Sequence, residues 1–335
     1  MGTNRTLRPS TATFFERWGA KATFINGIWT GSIGHPAFRA RIFHGTSDRR
    51  TADLPTLAGQ VLGIDTPLGV IDLSGALEPG PLGPTSARMG RRQQVAGLLD
   101  PTLAAPPPAD SGRPLVPWEP SESAEVAARK VMASRAARWA TGPRVPFHVD
   151  SAEARERADA WREVADPASL SPDLLNLEGQ LDLAVDLLLS DVAASALVSI
   201  DGWDTHSADY LQDDQYESLF VSLDTLMNSL AEKNALDDVA VFVISAMARN
   251  PALNDLGGTD HWPLTSAILL GGGLGTGRVL GGTDENFGPR GVDGEASDRA
   301  PVLTAADFLG GLIAALGGDP EEALPGCDPL LALSP

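Results

Sequence analysis

The chain has 335 residues, 43% of them hydrophobic and 21% charged, enough apolar material for a packed interior, with no run near the roughly eighteen apolar residues a membrane span needs. Forty-four acidic against twenty-five basic side chains leave a formal charge of −19, which repels phosphate backbones and anionic lipid and argues against nucleic acid or a membrane surface as partner. The single cysteine, Cys327, excludes an internal disulfide and a Cys-rich zinc site, so any metal must be held by histidine and carboxylate.

The length exceeds the usual single-domain mode but does not force two cores, and one large α/β domain spanning residues 1–335, with an insertion, is expected. The opening "MGTNRTLRPSTATFFERWGA" has no apolar h-region followed by small residues, so it does not read as a secretory signal. Ser10 or Thr11 is placed to cap a helix over "TATFFERWGAKA", and "ATFINGIW" is a β-like run closed by Gly31. "HPAFRARIFHG" predicts a helix ended by Gly45, and "GVIDLSG" a further strand. From Asp100 to Pro120 the chain carries seven prolines, which cannot be regular structure and reads as an extended linker. Two polar helices, about Glu122 to Ala140 and Ser151 to Val164, read with it as an insertion or cap over 100–170.

The later chain alternates more cleanly. "LLNLEGQLDLAVDLLLSDV" has helical apolar spacing and leads into the strand-like "SALVSI". "YESLFVSLDTLMNSLAEK" is again helical and leads into "VAVFVIS", a βαβ pattern that predicts a mostly parallel sheet sandwiched by helices. "TSAILLGGG" reads as a further strand and "AADFLGGLIAALG" as a terminal helix. The glycines of "GGGLGTGRVLGG" fit no G-x-G-x-x-G register and open no helix, so they predict a tight turn with little bulk beside a site and no dinucleotide site. Ser245 lacks the G-x-S-x-G elbow of the α/β-hydrolases.

Ligands of open α/β sheets bind beyond the carboxyl ends of strands, and three of the five histidines fall there. Asp204 and His206 follow "SALVSI"; two apart in extended chain, they face one way and suit either one cation or an orienting pair. Asp260 and His261 lie in "GGTDHW", read as a Gly-rich loop, and His35 follows "GIWTGSIG". The alternative for each Asp/His pair is an ordinary loop hydrogen bond, and His44 and His148 read as surface or packing residues.

The run from Leu181 to Gly282, with "GWDTH", "VFVISAMARN", "GGTDHW" and "LLGGGLGTGRVLGG", resembles the family labelled domain of unknown function 1501. "GAKATFINGIWTGSIGHPAFRARIFHG" is similar to that family's N-terminal region. The resemblance implies an alkaline phosphatase/sulfatase-like fold with metal ligands at the strand ends, a divalent cation such as zinc, and a small phosphate or sulfate ester as substrate. It also implies an exported protein. It assigns Asp204, His206, Asp260, His261 and His35 to the metal, Arg249 to the substrate anion, and leaves Ser32 as the nearest substitute for a nucleophile. Ala246 stands where the family has a glutamate and Gly34 where it has a serine, and no residue ahead of Thr6 matches its acidic G-G-N-D-G-like motif. These departures imply the alternative of a catalytically degenerate relative that binds a ligand or a partner protein on the same scaffold.

Overall fold

A computed structural model describes residues 8–63, 66, 68–88, 126, 127, 130, 131, 134, 176–292 and 302–333. The proline-rich linker and His148 lie outside them; of the two expected polar helices only 126, 127, 130, 131 and 134 are described, all helical. The chain divides into two compact units, Met1–Val61 with Ile200–Pro335, and Leu62–Ser199.

The larger unit begins with α1 (Pro9–Trp18), which starts at its proline rather than at a Ser10 or Thr11 cap. Proline lacks only the amide that a first helical turn leaves unused, so it takes the start and the two hydroxyl residues fall inside the turn. Strand β1 (Ala22–Trp29) leads through residues 30–34 into α2 (His35–His44), which Gly45 ends in the left-handed conformation. Here α3 (Leu54–Leu62) follows, and His44 is buried with its ring Nδ1 2.9 Å from the Thr51 carbonyl, a packing role.

In the smaller unit, β2 (Leu68–Asp72) is flanked by β3 (Ser86–Arg88) and β4 (Ala193–Leu197), all parallel. Helix α4 (Leu177–Leu189), capped by Asn176, packs Leu183, Ala184 and Leu187 against Leu68, Ile71 and Ala193.

The rest belongs to the larger unit: α5 (Gln212–Glu232), β5 (Ala240–Ile244), β6 (Ala248–Leu253), β7 (Thr259–Trp262), β8 (Leu264–Gly271), β9 (Val279–Thr283), β10 (Pro289–Arg290), α6 (Ala305–Ala315) and α7 (Pro320–Ala323). Its sheet runs β10-β9-β1-β8-β5. Only β1 and β9 are parallel neighbours; β8 is antiparallel to both β1 and β5, and β10 to β9. The expected mostly parallel sheet is therefore a mixed one in this unit. A parallel return needs about a dozen or more crossover residues, usually helical. The connection from β5 to β8 is instead the β6–β7 hairpin, so β8 comes back antiparallel. For the same reason the βαβ pattern around α5 does not close in one sheet, since β4 and β5 belong to different ones.

Helices cover both faces of the larger sheet. On one, Ile25, Ala267 and Leu269 pack with Phe308, Leu312 and Ile313 of α6, a helix fixed by a Thr304/Asp307 capping box. On the other, Phe15 of α1 lies 5.5 Å from Phe24 and 5.0 Å from Phe220 of α5, ring centre to ring centre. Strand β1 bulges between Ile25 and Ile28, where Gly27 has φ 74° and a side chain would strike the Gly282 carbonyl oxygen. Because Trp29 pairs Leu264 and Ile244 pairs Ala267, the carboxyl ends of β1 and β5 share one edge of the sheet. The 271–277 glycine turn sits at the far end of β8, bonded to Leu236 through the Gly272 amide, and not beside the histidines as expected.

Candidate metal centre

Three segments bring side chains to that edge. His35 opens α2 just after β1. Asp204 and His206 lie in the loop that precedes α5. Arg249 and His261 are directly paired across the β6–β7 hairpin, so both project from one face of it, with Asp260 beside them. "GGTDHW" is thus a strand and its turn rather than a loop.

The distances are short. Asp204 Oδ1 lies 3.0 Å from His206 Nε2 and 3.0 Å from His261 Nε2, and the two imidazole nitrogens are 3.0 Å apart. His35 Nε2 is 3.3 Å from Asp204 Oδ2, and its ring stands edge-on to His261 at 4.6 Å. His35, Asp204 and His261 each offer a ligand atom within 4.8 Å of the other two. Asp260 does not join this contact; it is 3.0 Å from Nδ1 of His206 and accepts from Asn254 Nδ2 at 3.1 Å.

The outward partners fix which ring nitrogens carry protons. His261 Nδ1 is 2.8 Å from the Ile33 carbonyl, which only accepts, so Nδ1 must donate. His206 Nδ1 donates to the Asp260 carboxylate by the same reasoning. In the neutral rings both Nε2 atoms are then bare lone pairs, and with Asp204 Oδ1 they form a triangle of three acceptors 3.0 Å on a side. Such a triangle is repulsive until a proton or a cation enters it. A tetrahedral cation with ligands at about 2.0–2.2 Å spans ligand-to-ligand edges of about 3.3–3.6 Å, so the arrangement is nearly preformed for one. The donor set, imidazoles with one carboxylate, suits zinc better than magnesium or calcium, which prefer all-oxygen shells.

Arg249 is held by this cluster. One guanidinium nitrogen donates to Asp204 Oδ1 at 2.6 Å and to the Trp203 carbonyl at 2.9 Å, and the other to the Thr259 carbonyl at 3.0 Å. Burial works against ionisation of Asp204, but a hydrogen bond from His261 when its Nε2 carries a proton, the hydrogen bond from Arg249 and the Arg249 charge outweigh it and hold its carboxyl well below the usual range. Asp260 is also lowered, chiefly by the hydrogen bond from His206 and then that from Asn254. Ser32 is half-buried, its Oγ accepting the Gly34 amide at 3.2 Å, and Ala246 lies in the turn between β5 and β6.

Two supporting residues carry no motif that sequence reading could single out. Asn254 at the hairpin turn donates to the His206 carbonyl at 2.9 Å as well as to Asp260. Gly258 faces the same carbonyl so closely that a Cβ there would overlap it. Asp209 links the loop to β7 through Thr205 and Thr259.

Fold and site together define an α/β protein with a preorganised His/Asp cluster at the carboxyl edge of a mixed sheet. The chain belongs to the family described as "Protein of unknown function (DUF1501)", which matches residues 119–326 and so takes in Asp204, His206, Arg249, Asp260 and His261. No curated protein and no solved structure matches it.

Proposed function

We propose that the protein is a divergent metal-dependent hydrolase of phosphate or sulfate esters, of the alkaline phosphatase and sulfatase type, with one divalent cation held by His35, Asp204, His206 and His261. The observation that carries this reading is the triangle of acceptors formed by Asp204 Oδ1 and the Nε2 atoms of His206 and His261. A cation held there supplies Lewis-acid polarisation of an ester oxygen. The chain's own groups do the positioning: the Ile33 carbonyl sets the tautomer of His261, Asp260 sets that of His206, and Arg249 keeps Asp204 ionised and oriented. His35, Asp204 and His206 expose 58%, 50% and 41% of their side chains, so among the described residues the cluster is open to a small anionic ester.

The test is elemental analysis of purified protein and of a His206→Ala variant, with both assayed on aryl phosphate and aryl sulfate esters. Stoichiometric metal and turnover, both lost in the variant, are expected. Metal-free, inactive wild-type protein overturns the reading.

A second reading has its own observation. Arg249 spends its guanidinium on Asp204 and two carbonyls, and the Ser32 hydroxyl accepts the Gly34 amide, so neither residue is set up as an anion receptor or an activated nucleophile. That favours a relative that keeps the cation and binds a ligand or partner without turnover. Stoichiometric metal with no hydrolysis selects it.

A further inference from the structure

The cluster is carried by two tripeptides distant in sequence, Asp204-Thr205-His206 and Thr259-Asp260-His261. Each contains a buried threonine, with Thr205 7% and Thr259 5% exposed. One carboxyl oxygen joins them. Asp209 Oδ1 accepts from the Thr205 hydroxyl at 3.1 Å, from the Thr259 hydroxyl at 2.9 Å and from the Thr259 amide at 3.2 Å. Gln212 donates to the Thr205 oxygen at 2.7 Å, which leaves that hydroxyl's own proton for Asp209.

An aspartate at the start of a helical segment ordinarily caps it. Asp209 opens the short helical turn Asp209–Leu211 ahead of α5, yet neither that turn nor α5 has a side-chain cap. Its acceptor is spent on the two threonines instead. Local helix stability thus fails to explain the residue, whereas the register between the loop and β7 does.

We propose that Asp209 is a positioning residue for the metal centre: it clamps the Asp204/His206 loop to the His261 strand through Thr205 and Thr259, and so sets the separation of the ligand atoms. The proposal rests on the metal reading above. Ligand geometry must be held to a few tenths of an ångström, and loss of an outer partner that maintains it typically costs 10–100-fold in metal affinity.

The experiment is zinc titration of the full chain against a competing chelator, for wild type, Asp209→Ala, Asp209→Asn and Thr259→Val, with thermal melts of each. Asp209→Ala is expected to weaken zinc binding by roughly 10–100-fold. Asparagine retains a side-chain oxygen that accepts from both threonines, so Asp209→Asn should stay within about threefold of wild type; Thr259→Val, which deletes one hydroxyl bond, should lose about two- to tenfold. If Asp209→Ala does not fold, Thr259→Val decides. A lower melting temperature with unchanged zinc affinity means a structural role only and overturns the proposal. If wild type binds no zinc, the metal reading has failed on its own, and the clamp is then read from imidazole 15N spectra of metal-free protein. Those spectra should show Nδ1–H tautomers for His206 and His261 that Asp209→Ala averages with the other form; unchanged spectra overturn the clamp.

Discussion

Replacing His206 by alanine separates the two ways in which the acceptor triangle can be satisfied. The imidazole exposes 41% of its side chain and contributes one corner of the triangle, 3.0 Å from each of the other two. Without a cation, its removal relieves two acceptor contacts and forfeits one exposed bond to Asp260, so the metal-free variant should melt within the span of about 1 kcal/mol usual for such sites. With a cation the balance changes. A ligand that binds only folded protein stabilises it by about 2.7 kcal/mol at one hundred times its Kd. For a unit of the size of Met1–Val61 with Ile200–Pro335, 1 kcal/mol moves Tm by roughly 2–4 °C. Zinc at that excess should therefore raise wild-type Tm by about 5–10 °C, while the variant should shift by less than about 2 °C. The assay is circular-dichroism melting after chelator treatment, with and without added zinc. An unmoved wild-type Tm across zinc, manganese and magnesium, or equal shifts in the two proteins, refutes the argument from the triangle.

Gly258→Ala puts a methyl group onto the His206 carbonyl and forces the hairpin away from the loop; a loss of about 1–3 kcal/mol by denaturant titration is expected, with weaker zinc binding. Phe308→Ala, at a fully buried position packed beneath the sheet, should cost about 3–5 kcal/mol while leaving the zinc affinity of the folded protein unchanged, which denaturant midpoints and chelator competition would check together. Asp260 titrates below the ordinary carboxylate range in folded protein because His206, and after it Asn254, donates to it. Its stabilising contribution is therefore present above its unfolded pKa and disappears as pH falls through the lower folded value. Asn254→Ala should move the Asp260 carboxyl 13C titration upward in metal-free protein; an unmoved curve would remove Asn254 from the account.

What the sequence disclosed follows from burial. The runs that form β1, β5 and β8 are apolar enough to identify themselves, and the chain that follows β1 and β5 lies at a sheet edge, whereas Asp204 and His206 follow β4, a strand of another sheet. Strand direction was not legible, because an apolar run reads the same whichever way its neighbour travels. Strand β6 was hidden as well: "ARNPAL" contains a proline and no apolar alternation, and it persists as half of an exposed hairpin with an irregular register. Asp204, His206 and His261 stood out because histidine is rare in this chain and the motif spacing is tight. Asp209 and Asn254 are ordinary loop residues by sequence, and only distances across about fifty residues of chain reveal what they hold.

The hydrogen bond from His261 to the Ile33 carbonyl closes a loop of 228 residues. A zinc finger gathers its ligands from neighbouring turns, so the ion can template the fold of a short peptide. Here the first and last of the proposed ligands, His35 and His261, leave the ribosome far apart, and only Asp204 and His206 are local to each other. On the metal reading, a cation at this edge would meet all of its ligands only once the fold has brought them together. On that reading, loading would follow folding on the apolar core, as a property of the mature surface.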